Sequence, residues 1–223
     1  YALKPSCDWE SGIGRIWPAL PLLKDFPFFD ILAELNSFES LRPLQIDCYP
    51  GSALLVAKLA ERKKADLMME IWDIDPAVEA AWNEHLDPEC LDHCLISFHL
   101  EDGFSGAMSL LKREPPGLLL IDPPFTSSRD KKAAEELFCR AEECGWTVLC
   151  WHMTDSIRPS YSDYSTEFSI QFSQIGLEYA GASGCSIQAA SPDSEIIGHL
   201  SRRVSAFLHI MERDGNNMLN PLA

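Results

Sequence analysis

The sequence contains no apolar run long enough to span a bilayer; stretches such as Leu118–Ile121 are strand-sized. That excludes a transmembrane helix. Positive charge is also scarce: 18 Lys and Arg face 34 Asp and Glu, for a net charge of -16. Proteins that grip phosphate backbones usually present a basic face, so this balance argues against a nucleic-acid partner unless cations are gathered into patches. Lys58–Lys64, Lys112–Arg113, Arg129–Lys132 and Arg202–Arg203 are the groups that could form one. There is no internal repeat, no low-complexity tract and no charge block long enough to suggest a disordered tail.

Zinc-type spacing is incomplete. His85, Cys90, His93 and Cys94 lie close together, but no second Cys or His pair accompanies them, so no metal is expected. No nucleophilic triad is legible. Gly12–Gly14 and Ser183–Ser186 are small-residue turns that do not follow a strand with the spacing of a phosphate-cradling loop. The chain opens at Tyr1 without Met and without a secretory pattern, which leads us to expect that its natural N-terminus lies further upstream. The cysteines number 8, several within apolar stretches where thiols act as small hydrophobes, as expected for a reduced, cytoplasmic protein.

What remains is an ordinary globular composition, 46% hydrophobic and 23% charged over 223 residues, enough for one domain or one domain with a small appendage. Ser52–Lys64 has good helix formers and follows a Tyr49-Pro50-Gly51 turn. Leu67–Trp72 reads as a strand leading to Asp73, Asp75 and Pro76, where Asp75 can cap and Pro76 can open the next helix. Cys94–Phe98 and Gly117–Ile121 repeat the strand pattern, the first followed by Asp102-Gly103 and a helix, the second by Asp122-Pro123-Pro124-Phe125. Two prolines there forbid further ladder bonding, so the chain must leave the sheet. A helix over Arg129–Cys144 stops at Gly145, and Trp146–Met153 is the next strand.

Strands alternating with helices imply right-handed crossovers and an α/β fold: a doubly wound, mostly parallel sheet covered on both faces. Beyond Thr154 the pattern predicts a helix near Asp163–Ile175 and strands near Gly184–Ala190 and Val204–Met211. Residues 1–47, with Pro5, Pro18, Pro21, Pro27 and Pro43 and the aromatic group Phe26, Phe28, Phe29, read as an irregular lobe or insertion packed on the sheet, leaving 48–223 as the α/β domain.

Ligands of open parallel sheets bind beyond the carboxyl ends of the strands. There stand Tyr49-Pro50-Gly51-Ser52, Asp73, Asp102-Gly103 and Asp122–Phe125. An acidic residue after one strand suits a ribose diol, and one after the next suits an adenine amino group. Helix capping explains Asp73 and Asp102 equally well, and a turn explains Tyr49–Ser52. Asp122–Phe125 is harder to dismiss, because the prolines hold one carboxylate, carbonyls without competing amide donors and one aromatic face together. The ring could stack on an extruded base while the Asp122 carboxylate and the Pro123 carbonyl accept from its exocyclic amine. Trp151-His152 ends a strand, where a histidine either reaches the pocket or is satisfied in the core.

Leu119-Leu120-Ile121-Asp122-Pro123-Pro124-Phe125 resembles the motif of the bacterial 23S ribosomal RNA adenine-N6 methyltransferases of the RlmJ type. Gly12-Ile13-Gly14-Arg15-Ile16-Trp17, Tyr49-Pro50-Gly51-Ser52, Asp73-Ile74-Asp75-Pro76 and Asp102-Gly103-Phe104 match further motifs in the same order, over roughly Gly12 to Trp151. The resemblance implies a Rossmann-like domain dependent on S-adenosylmethionine, with rRNA as partner. It implies that Ser52, Asp73, Asp102 and Gly103 contact the cofactor and that Asp122 serves both the cofactor pocket and the target amine, with Pro123, Pro124 and Phe125. Alternatives are a non-catalytic binding module that keeps the fold, and methyl transfer to DNA or to a small-molecule amine; some relatives carry an older label for use of external DNA. The family's Gly-rich cofactor loop and a preceding histidine-bearing segment would fall ahead of Tyr1. Asp73 stands where relatives usually have Glu, and Phe125 where Tyr is commoner.

Overall fold

The computed structural model describes residues 22–36, 49–85, 94–125, 127–154, 164–175 and 183–218. The chain forms two compact units, Tyr1–Gly106 and Ala107–Ala223.

The first unit contains α1 (Pro27–Leu35), α2 (Ser52–Lys63), β1 (Leu67–Asp73), α3 (Pro76–His85) and β2 (Cys94–Leu100), and α4 (Gly103–Leu110) begins in it. Helix α1 falls where an irregular lobe was expected. Its Pro27 occupies the first turn, where the missing N–H costs nothing, and Phe29, Ile31 and Leu32 are buried. The rest of 1–47, including Gly12–Trp17, lies almost wholly outside the described residues. Helix α2 ends at Lys64, whose left-handed backbone (φ 51) closes the last turn. A short link then reverses the chain into β1, so α2 starts at the end of the unit where β1 finishes. Strands β1 and β2 pair in parallel with Asp73 opposite Leu100.

Two cations of the expected basic cluster, Lys58 and Arg62, are paired with acids of α1. Arg62 donates to Glu34 at 2.8 Å and lies 3.9 Å from Asp30, while Lys58 lies 3.0 Å from Glu61 and 3.7 Å from Glu34. The hydrogen bond from Arg62 holds the Glu34 carboxyl below its ordinary value. These charges are therefore spent on joining two helices.

The second unit contains β3 (Leu118–Ile121), α5 (Ser128–Glu143), β4 (Thr147–Met153), β5 (Thr166–Gln171), a 3-10 turn over Phe172–Ile175, β6 (Gly184–Ala190) and α6 (Ser194–Met218). Helix α5 opens with a capping box, Ser127 Oγ accepting from the Asp130 amide and Asp130 accepting from the Ser127 amide. It buries Ala134, Leu137, Phe138 and Ala141, and burying a ring such as Phe138 contributes roughly 1.5–3 kcal/mol. Gly145 ends it with φ 79, a conformation in which a side chain would be strained.

The four-stranded sheet has the order β3-β4-β6-β5. Only β3 and β4 are parallel there; β6 runs antiparallel to both its neighbours. Among the described residues the architecture is thus mixed α/β, with two parallel strand pairs and β6 antiparallel to its neighbours. Leu118 and Leu120 on one face of β3, and Met68 and Leu95 in the first unit, are exposed.

Two late elements differ from expectation. The helix expected near Asp163–Ile175 is β5 followed by a single 3-10 turn; Thr166, Phe168 and Ile170 alternate with Glu167, Ser169 and Gln171, a period of two that overrides helix propensity. The strand expected over Val204–Met211 is part of α6, where Leu200, Val204, Phe207 and Met211 recur at helical spacing. Asp193 caps that helix, accepting from the Glu195 amide at 2.8 Å.

Candidate functional site

Within the first unit the fold gathers four candidates at one end. Asp73 closes β1, Asp102 follows β2 two residues beyond Asp73's partner Leu100, Gly103 opens α4, and Ser52 opens α2. Local geometry accounts for much of their chemistry. Asp73 Oδ1 accepts from the Asp75 amide at 2.8 Å, and Asp75 Oδ1 caps α3 by accepting from the Ala77 amide at 2.8 Å. Asp102 Oδ1 accepts from the Ser105 amide at 2.8 Å, the bond of an N-cap. Each carboxylate therefore commits one oxygen to a turn. Helix α2 is different: Gly51 precedes it with no side-chain cap, and Ser52 is exposed in its first turn, where backbone amides favour an anionic group.

Trp72 underlies this end. Its indole stacks on His99 with centroids 5.1 Å apart, and His99 Nε2 lies 2.6 Å from Glu70 Oε2. A Cβ at Gly106 would overlap the indole, and one at Gly103 would lie 3.3 Å from Trp72 Cβ. Glycine is needed at Gly106 for this close approach of helix to strand.

In the second unit, β3 and β4 run in parallel with Ile121 opposite Cys150, so Asp122–Phe125 emerge at the carboxyl ends of both strands. Asp122 is not in a packed core; it is open to solvent on one side, while the surrounding protein raises its carboxyl above the ordinary 3.8 by desolvation. Pro124 is exposed and Pro123 half-buried. Phe125 adopts φ 48, a left-handed conformation rare for a bulky residue. Its ring meets His152 edge to face, with centroids 6.3 Å apart and an interplanar angle of 83°.

His152 is 1% exposed on an inward position of β4. The sequence left it between pocket and core; its inward register in β4 is the signal for the second. Arg129 and Lys132 are exposed at the start of α5, a few residues beyond Phe125. Cations there oppose the helix dipole, so folding alone does not favour them. Of the cluster considered for a metal, Cys90 and His93 lie outside the described residues.

The end of β3 thus carries a carboxylate, two prolines and a left-handed aromatic residue in succession, Asp122, Pro123, Pro124 and Phe125. The sequence model of the family described as RsmJ, ribosomal RNA large subunit methyltransferase D, RlmJ, matches residues 2–147. The chain belongs to that methyltransferase family. A crystal structure of a protein from Legionella pneumophila (LPL1258) is similar in fold, with a TM-score of 0.69 at 15% identity, covering 95% of this chain and 80% of that one. A putative methyltransferase from Escherichia coli (yhhF) gives a TM-score of 0.38 at 10% identity over 62% of this chain and 85% of that one. No curated protein matches the chain.

Proposed function

We propose that the protein transfers a methyl group from S-adenosylmethionine to the exocyclic N6 amine of an adenine in 23S ribosomal RNA, in the cytoplasm, using a Rossmann-like, doubly wound domain. The observation that carries this reading is the Asp122–Phe125 segment, solvent-accessible at the end of β3 with a desolvated carboxylate and a strained ring, in a chain of the RlmJ family.

The donor set suits such a cofactor in kind. Asp73 and Asp102 offer acceptors for ribose hydroxyls and an adenine amine, and the uncapped start of α2 at Ser52 offers amides to a carboxylate. Gly103 keeps the backbone clear of a side chain. The bound cofactor supplies the activated methyl group, so the chain's own task is positioning and electrostatics. The Asp122 carboxylate and the Pro123 carbonyl accept from the amine and turn its lone pair outward, and Phe125 stacks on the extruded base. Arg129 and Lys132 meet the phosphates beside it, local cations that offset a net charge of -16.

The decisive experiment is mass spectrometry of nucleosides in 23S rRNA from cells lacking the gene, complemented with the parent or with Asp122→Ala. One N6-methyladenosine is expected to vanish on deletion and return with the parent alone. Its return with Asp122→Ala, in protein that includes any segment ahead of Tyr1, would sink the reading. A loss confined to DNA or to a small-molecule amine would move the substrate. The pairing of Lys58 and Arg62 with α1 favours a second reading, a non-catalytic module; calorimetry decides between them, saturable S-adenosylmethionine binding being expected for the enzyme and none for the module.

A further inference from the structure

We infer that His152 is a positioning residue for the proposed methyl transfer: its buried ring braces Phe125 edge to face and holds the base-stacking ring in its strained conformation. The inference rests on the function proposed above.

The inward positions of β4 are Val148, Cys150 and His152. The first two are apolar and fully buried, as a sheet face packed under α5 requires; the third is a histidine at 1% exposure. Burying an imidazole costs free energy unless its nitrogens are matched, and an apolar residue would fill the position without that cost. The structure matches it locally. His152 Nδ1 lies 3.1 Å from the Met153 carbonyl, and because that oxygen can only accept, Nδ1 carries the proton and the ring is held in one tautomer and orientation. Its partner across the β4–β6 ladder is Ser186, also 1% exposed, whose Oγ lies 2.7 Å from Ser169 Oγ on β5. The histidine thus ends a polar row, buried at His152 and Ser186 and half-buried at Ser169, that crosses the sheet toward β3.

Against the ring lies Phe125, the two centroids 6.3 Å apart and the planes nearly perpendicular. A left-handed backbone at a non-glycine residue persists only where its surroundings over-determine it. Two locally unfavourable choices, a buried polar ring and a strained aromatic, therefore stand in contact, and each accounts for the other. Without the imidazole, Phe125 can relax toward ordinary backbone angles and swing its face away from the base.

Three measurements test this. In the parent protein, nuclear Overhauser effects should connect the ring protons of His152 and Phe125; their absence overturns the inference whatever the variants do. In His152→Leu, close in size but without a ring, kcat should fall about three- to tenfold, the range an edge-to-face aromatic pair supports. The KM for S-adenosylmethionine should stay at the parental value. In His152→Phe the ring returns and kcat should recover to within about twofold of the parent, a rescue that a space-filling role would not require. A folded His152→Leu with parental kcat, or a His152→Phe no better than His152→Leu, overturns it; should His152→Leu fail to fold, the Overhauser contact and a His152→Phe below one third of parental kcat still decide. Asp122→Ala run alongside separates the two ideas. If it too keeps parental turnover, the proposed function fails; if it is dead while His152→Leu is unimpaired, only the role of His152 falls.

Discussion

The strand-end acids of the first unit and the motif of the second differ in how far folding alone explains them. Asp73 and Asp102 each give an oxygen to a backbone amide at a helix start, an arrangement that any soluble α/β protein uses. Asp122 follows a strand without capping the next helix; that cap is Ser127, with Asp130 reciprocating. Its carboxyl is pushed up by desolvation, and Phe125 three residues on sits at φ 48. Carboxylates that stabilise the fold say little about chemistry. A segment that costs stability and remains is where function should be sought.

The contrast can be broken by substitution. Phe125→Ala should remove base stacking, worth about 1–3 kcal/mol, and so raise the KM for RNA by roughly five- to 150-fold, with folding stability little changed, since alanine keeps the Cβ that opposes φ 48 and loses only the ring. Steady-state kinetics on protein-free rRNA beside thermal unfolding will show it, and a large drop in Tm would place Phe125 among structural residues instead. Asp102→Ala should behave oppositely, costing about 1 kcal/mol of stability through the lost cap, read as a lower denaturant midpoint even without cofactor. An unchanged midpoint would mean that the cap is idle and the contrast between the units is false.

The smallest effect concerns pH. Because the folded protein holds the Asp122 proton more tightly than an unfolded chain does, the associated stability is full below 3.8 and is lost as pH rises through the raised folded value. Asp122→Asn should therefore raise the Tm slightly at neutral pH and leave it unaltered in acid. The same shift places the acidic limb of kcat above 3.8, since the carboxylate is the form that accepts from the amine. Superimposable melting curves at neutral pH for the parent and Asp122→Asn would contradict the desolvation.

Much of the fold was legible where period and punctuation agreed. The helix of α5, with its apolar stripe and terminal Gly145, and the strand Gly184–Ala190 stand where they were expected, and β1, β2, β3 and β4 differ only at their ends. Two elements after Thr154 differ from expectation. In β5 the alternation of Thr166, Phe168 and Ile170 outweighs helix propensity, and in α6 the helical spacing of Leu200, Val204, Phe207 and Met211 outweighs strand propensity. Both signals were present. Strand direction was not: nothing in the residues of β6 says that it runs antiparallel between β4 and β5.

For the candidate site the division is similar. Order along the chain was enough to set Asp73, Asp102 and Asp122 just beyond strands, and the two prolines after Asp122 were enough to force the chain out of the sheet, because these are consequences of side-chain period and of an imide without a donor. Tertiary structure alone decided the rest. It spent Lys58 and Arg62 on α1 and put His152 against Phe125. Contacts between residues distant in the chain depend on strand order and register, which no local pattern encodes.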